Sequence, residues 1–150
     1  MNMVAETLKL CEDITKNARI DYEELCKKTI DEEFFQDYEN VRIVNSFLFN
    51  FSKLQDKIRA KLFRQALYAM QEINDMNFPM VEILSILEKL DIVQMQEWQK
   101  LREIRNILAH EYPYDVQERI ENIHLAMQGF VILETIFERL KSKLDATGSK

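Results

Sequence analysis

Two residues in the last third of the chain, Arg105 and His110, have side chains suited to phosphate chemistry. Arg105 carries a permanent planar cation, and His110 carries an imidazole that exchanges protons near neutral pH. They lie five residues apart, which turns them about 140° from each other on an ideal α-helix. They could converge on one phosphate if the helix loosens before Pro113, or if two copies of the helix face each other across a dimer axis.

Such a pair suits cleavage of RNA by its own 2′-hydroxyl. The imidazole would move the proton during attack on the adjacent phosphate, and the guanidinium would stabilise the charge that builds on the phosphoryl oxygens. This scheme requires no metal ion. The chain has two histidines, and its Glu121-x-x-His124 lacks the second such motif that a di-iron bundle needs. We therefore expect no metal and no cofactor, and we interpret His124 as a partly buried structural residue.

The helix that carries Arg105 has an unusual apolar face. With Trp98 at zero and 100° per residue, an apolar arc is formed by Trp98, Leu101, Ile104, Leu108 and Ala109. Arg105 falls inside this arc, and Arg102 lies beside it. A guanidinium is costly to bury unpaired, so Arg105 needs a buried carboxylate or a cleft, unless its alkyl stem runs along the core to solvent. Asn106 shares the neighbouring face with His110.

The elements that hold these residues are predicted to be helices. Two glycines and two prolines in 150 residues are too few for the turns of a sandwich or for glycine-rich phosphate loops. Apolar residues recur at three- and four-residue spacing almost throughout. We predict an all-α fold, a five-helix up-and-down bundle with two or three long helices and a short one.

The predicted domain is single and covers residues 1–144, with a frayed tail at 145–150. Asn77 is the expected cap of the short helix, Pro79 its first-turn residue, and Asp115 the cap of the final helix. The proline at 113 should stop the fourth helix. The predicted apolar stripes run over 4–25, 41–70, 81–90, 95–110 and 116–144.

Charge is distributed unevenly along the chain. The total is −6, yet residues 41–70 hold six lysines and arginines against one acid, Asp56. We interpret this basic run as a solvated helix face, with a surface for RNA or a protein partner as the alternative. The acidic total argues against non-specific coating of nucleic acid but allows a small basic cleft. The N-terminus does not resemble a signal peptide and no apolar run is long enough for a membrane span, so we expect a cytoplasmic protein with reduced thiols and no membrane partner.

The segment Arg105-Asn106-Ile107-Leu108-Ala109-His110-Glu111-Tyr112 resembles the Arg-x4-His-x-Tyr motif of HEPN-domain proteins of the HepT toxin type. The late position of the motif, ahead of a final long helix in a five-helix bundle, is also similar to that family. The resemblance implies a HEPN-like fold and a homodimer whose two motifs form one composite cleft. It further implies a metal-independent endoribonuclease that leaves 2′,3′-cyclic phosphate ends.

The resemblance also assigns roles to residues. Arg105 would bind the scissile phosphate, His110 would act as general acid or base, and Asn106 with Arg102 would support the cleft. Tyr112 would receive AMP from a nucleotidyltransferase antitoxin, which silences the toxin. RNA would be the substrate.

Two other hypotheses remain at this point. The first is a non-catalytic HEPN module that acts as the substrate-binding partner of a nucleotidyltransferase. The second is a plain structural bundle in which Arg105 is buried and satisfied, and its removal would cost about 3 kcal/mol or more. For Asn106 and Tyr112 the structural alternatives are a side chain that bonds to the helix-end backbone and an aromatic ring packed beside Pro113.

Overall fold

The computed structural model describes residues 2–111 and 114–148, and these residues form an all-α bundle of five helices. The predicted fold class is therefore confirmed. The helices are α1 (Met3–Cys26), a continuous helix made of α2 (Tyr38–Lys57), a π-helical segment (Ile58–Leu62) and α3 (Phe63–Ala69), then α4 (Met80–Lys89), α5 (Met95–Ala109) and α6 (Val116–Thr147). A short 3₁₀ turn, Glu33–Gln36, precedes α2.

Three long helices build the core, because each carries an apolar stripe that only its neighbours can cover. α1 packs along α2, and α6 packs against both α2 and α5. Aromatic rings fill the space between α2 and α6, where the Phe47 and Phe130 rings meet edge to face with centroids 5.7 Å apart. Trp98, 1% exposed, anchors α5 to α3 through the Phe63 ring, 5.2 Å away.

The π segment in the middle of the second long helix has a visible cause in the sequence. Leu54, Ile58, Leu62 and Ala66 are all buried and follow one another at four-residue spacing. On a regular α-helix each four-residue step rotates the stripe by about 40°. A π turn takes more residues per turn, so it brings the stripe back toward the core. The turn begins directly after Gln55, Asp56 and Lys57.

The helix ends differ from the predicted ones in three places. Met80 is the first residue of α4 and Pro79 is its N-cap, so the prediction of Asn77 as the cap was wrong. The main-chain amide of Asn77 instead bonds to the Asp75 carboxylate, in a turn before the helix. α5 ends at Ala109, one residue before the predicted end.

The third difference concerns the C-terminal tail. α6 continues to Thr147, so residues 145–147 are helical and do not belong to a tail. Gly148 closes the helix with a φ of 72°, a left-handed conformation that glycine adopts without steric cost. At the other end Asp115 caps α6 as predicted, and its carboxylate accepts from the Glu118 amide. No helix within the described residues is both long enough and apolar enough to cross a bilayer.

Candidate functional site

Arg105 projects from α5 toward α2 and pairs there with Asp56. The guanidinium Nη2 lies 3.2 Å from Asp56 Oδ2, and Nε lies 3.5 Å from Oδ1. The Arg105 side chain is 36% exposed and that of Asp56 51%. The partner is thus an exposed carboxylate and not the buried one that was one of the predicted alternatives, and the pair lies at the surface. The structure therefore does not contain the buried Arg105, with all its hydrogen bonds made inside the protein, that the structural-bundle hypothesis requires.

The Arg105–Asp56 pair lies between two clefts, and both residues line both of them. The first, of about 690 Å³, we call the arginine cleft, because three of its lining side chains are arginines from two different helices. It is lined by Gln55, Asp56, Arg59, Met80, Val81, Leu84, Met95, Trp98, Arg102, Arg105, Asn106 and Ala109. Arg102, Arg105 and Asn106, three of the predicted site residues, thus meet in one place.

The electrostatics of the arginine cleft oppose those of the whole chain. Among its lining residues three arginines face one carboxylate, that of Asp56, while the chain as a whole carries −6. Arg59 comes from the π segment and Arg102 from α5, and both are exposed. Guanidinium groups bind phosphate through paired N–H donors, so this cleft is chemically suited to an anion with several acceptor oxygens.

Two deeply buried residues also line the arginine cleft, and each contains a polar atom without a protein partner. They are Gln55, 3% exposed, and Trp98, 1% exposed. Among the described residues nothing hydrogen-bonds to Gln55 Oε1 or Trp98 Nε1. An unpaired buried polar atom costs about 1–3 kcal/mol.

The second cleft, of about 630 Å³, we call the phenylalanine cleft. Its apolar side chains are those of Leu48, Phe49 and Leu108, and Phe49 is 65% exposed. Lys53 and Lys57 line it as well. The remaining lining residues are Ser52, Asp56, Arg105 and Glu111.

His110 occupies the C-cap of α5 and is exposed. Its Nδ1 lies 2.9 Å from the main-chain oxygen of Asn106. Asn106 and Ala109 both line the arginine cleft, and His110 directly follows Ala109 in sequence. Neither of the two clefts that Arg105 lines in the single chain includes the His110 side chain.

The segment that follows His110 is tied to α6. Asn122, 3% exposed, donates from Nδ2 to Glu111 Oε1 over 2.9 Å. This bond fixes the chain at the residue before Tyr112. Tyr112, the predicted modification target, and Pro113, the predicted helix stop, lie outside the described residues.

His124 is exposed on α6, so its interpretation as a partly buried residue was wrong. Its neighbours Asn122 and Ile123 take the buried positions of that turn. Over residues 2–111 and 114–148, no group of three or more His, Cys, Asp or Glu side chains is arranged to hold a metal ion.

Asp56 and Arg59 were missed as site residues by the sequence analysis. Both belong to the basic run of residues 41–70, which was interpreted as a solvated face. Arg59 lines the arginine cleft, and Lys53 and Lys57 line the phenylalanine cleft, so part of that run surrounds Arg105. The available signal was Asp56 itself, a lone acid among six basic residues.

Comparison with known proteins found no match: no family model, no curated protein and no solved structure resembles the chain at a significant level.

Proposed function

We propose that this protein is a metal-independent endoribonuclease, the toxin of a HEPN and nucleotidyltransferase toxin–antitoxin pair. The observation that carries the proposal is the arginine cleft, where Arg59, Arg102 and Arg105 line one concave surface of an otherwise acidic chain. Its link to RNA cleavage rests on the resemblance of residues 105–112 to the HEPN motif. Arg105 would bind the scissile phosphate and stabilise the charge that develops on its oxygens.

The general base would be His110. Its Nδ1 faces a carbonyl oxygen at 2.9 Å, and a carbonyl only accepts, so Nδ1 carries the proton. The neutral ring then takes the proton of the attacking 2′-hydroxyl on the lone pair of Nε2. As the 2′-oxygen bonds to phosphorus, the bond from phosphorus to the 5′-oxygen breaks, and the imidazolium returns its proton to that leaving oxygen. Because His110 lines neither cleft of its own chain, the proposed mechanism uses His110 of one protomer with Arg105 of its partner.

The surface that would join two protomers is the phenylalanine cleft. Phe49 is 65% exposed and lies with Leu48 and Leu108 beside Arg105. Contact between two such surfaces would remove apolar area from water and bring two α5 helices together. Sedimentation should give a dimer for the wild type and a monomer for Phe49→Glu. An Ile20→Glu variant is the control, because Ile20 is 58% exposed on α1 and lines neither cleft. A wild-type monomer at micromolar concentration would remove the composite mechanism.

The nuclease assay uses single-stranded RNA with EDTA present. Wild-type protein should cleave it and leave 2′,3′-cyclic phosphate ends, and Arg105→Ala and His110→Ala should each lose about 100-fold or more in rate. The controls are Arg42→Ala and His124→Ala, which remove exposed residues of the same types from α2 and α6. Full activity in either site variant would contradict the assigned chemistry.

The proposed partner is a nucleotidyltransferase that transfers AMP to Tyr112. Intact mass after co-expression with such an enzyme should show an increment of one AMP, and Tyr112→Phe should show none. Tyr114→Phe is the control, because Tyr114 lies two residues further on and is 94% exposed. An unchanged wild-type mass in repeated trials would contradict this part of the proposal.

A second function, a non-catalytic module that binds a nucleotidyltransferase, is favoured by one observation. Within one chain the described residues do not place His110 in a cleft with Arg105. Under this function no RNA would be cleaved at any pH, and Arg105→Ala and His110→Ala would still bind the partner. The nuclease assay and a pull-down of the two proteins separate these functions.

A further inference from the structure

Asp56 engages the edge of Arg105 that binds oxyanions best. Nε and Nη2 of a guanidinium present two nearly parallel N–H donors, and a phosphate or carboxylate takes both at once. Asp56 Oδ1 and Oδ2 lie opposite these two nitrogens at 3.5 and 3.2 Å. A phosphate that binds Arg105 through the same edge has to take the place of the Asp56 carboxylate.

The surroundings of Asp56 allow that replacement. In the single chain its side chain is 51% exposed, and it also lines the arginine cleft, which is not part of the proposed protomer contact, so the carboxylate can turn into solvent on that side at little burial cost. Four further cations line the two clefts with it: Arg59 and Arg102 in the arginine cleft, Lys53 and Lys57 in the phenylalanine cleft. Asp56 is the one carboxylate among the lining residues of the arginine cleft, and Glu111 joins it in the other.

We infer that Asp56 is an internal competitor for the phosphate site of Arg105, a side chain that covers the guanidinium until a phosphate displaces it. The inference rests on the proposed function for the role of Arg105 as the phosphate-binding residue. It adds a residue from a helix 49 positions away in sequence to that site. It also predicts that loss of Asp56 strengthens phosphate binding, whereas loss of a residue that positions Arg105 would weaken it.

The test is a titration of the isotope-labelled protein with inorganic phosphate, followed through the Arg105 Nε–H and Asn106 amide signals. Asp56→Asn keeps the size and an acceptor oxygen but removes the charge. We expect phosphate to bind this variant roughly fivefold more tightly than wild type, the scale of a half-exposed ion pair. Asp13→Asn is the matched control: Asp13 pairs with Lys9 on the exposed face of α1, and the variant should bind phosphate like wild type.

A double variant assigns the gain to Arg105. In Asp56→Asn with Arg105→Gln the added affinity should disappear. Unchanged or weaker phosphate binding by Asp56→Asn would overturn the inference, as would the absence of measurable binding in both proteins. RNA cleavage by wild type is measured separately. If Asp56→Asn binds phosphate more tightly but wild type cleaves no RNA, the inference stands and the proposed nuclease function is wrong. If wild type cleaves RNA but Asp56→Asn does not bind phosphate more tightly, the nuclease function stands and the inference is wrong.

Discussion

Nδ1 of His110 lies 2.9 Å from the main-chain oxygen of Asn106, one turn earlier on α5. The acceptor belongs to the backbone, so the contact depends on where the helix ends and not on the Asn106 side chain. The regular helical geometry of α5 ends at His110, whose φ is −116° and ψ 21°. The imidazole thereby hydrogen-bonds to one of the carbonyl oxygens that have no partner within the helix at its C-terminus.

This contact predicts the tautomer of His110. When the ring is neutral, long-range ¹⁵N–¹H spectra should show a protonated Nδ1 and an unprotonated Nε2, because a carbonyl oxygen cannot donate. Asn106→Ala keeps the main-chain oxygen and should leave that pattern unchanged. His124, exposed on α6, is the internal reference in the same spectra. A dominant Nε2–H form at His110 would exclude Nε2 as the proton acceptor in the proposed mechanism.

Removal of the Arg105 side chain should affect stability little. Its pair with Asp56 is 36% and 51% exposed, and such pairs contribute about 1 kcal/mol at most. Urea unfolding of Arg105→Ala should therefore give a loss below about 1 kcal/mol, against about 3 kcal/mol for a broken buried pair. The smaller loss would let an activity defect in this variant be attributed to the site.

Arg19→Ala is the contrasting variant for that measurement. Arg19 pairs with Glu134 on α6, and its guanidinium lies 4.9 Å from the Tyr22 ring centroid and 5.2 Å from that of Phe130. Loss of these contacts should destabilise the protein more than loss of Arg105. Equal losses for the two variants would mean that Arg105 has a larger structural role than its exposure indicates.

Local periodicity was sufficient to predict α5, which carries Arg105, to within one residue at its C-terminus. It also identified an arginine in line with Trp98 and the need for a carboxylate or a cleft beside it. The identity of that carboxylate could not be predicted, because Asp56 lies 49 residues earlier and the tertiary arrangement of α2 and α5 decides which of their turns come together. Arg59 was missed for the same reason. A helical wheel gives the angle of a residue about its own axis but not the neighbour it faces.

Gln55 offers a test of whether the buried side-chain oxygen beneath the arginine cleft contributes to stability. Its Oε1 is buried and has no partner among the described residues, so Gln55→Met should leave the free energy of unfolding unchanged or raise it by about 1 kcal/mol. Affinity for RNA and for inorganic phosphate should stay the same, because Oε1 is closed to solvent and the cleft keeps its three arginines. A large loss of stability would contradict the absence of a partner.

The two cysteines should differ sharply in reactivity. Burial raises the pKa of the Cys11 thiol to about 12, whereas Cys26 is exposed. A thiol reagent at pH 8 should therefore label Cys26 alone in the native protein and both residues in urea, as counted by mass spectrometry. Above pH 9 the unfolded chain releases the Cys11 proton before the native one does, so stability should fall as pH rises toward 12. Rapid native labelling of Cys11 would show that α1 opens from the bundle.

Gly129 sets how closely α6 approaches the helices that carry the site. A Cβ atom there would lie 2.8 Å from Phe51 Cζ on α2 and 3.1 Å from Ile104 Cδ1 on α5, and both side chains are buried. Gly129→Ala should therefore destabilise the protein by about 1–3 kcal/mol despite the higher helix propensity of alanine. Gln128→Ala, at the exposed neighbouring position, is the control for propensity alone.

The double variant Gly129→Ala with Phe51→Leu tests the cause of that loss. The smaller leucine leaves space at the ring position, so the two changes together should cost less than the sum of the single losses in urea unfolding. Phosphate affinity should fall in Gly129→Ala and recover in the double variant, because Ile104 precedes Arg105 on α5 and moves with it. Strictly additive losses would show that the contact with Phe51 is not the cause of the loss in Gly129→Ala.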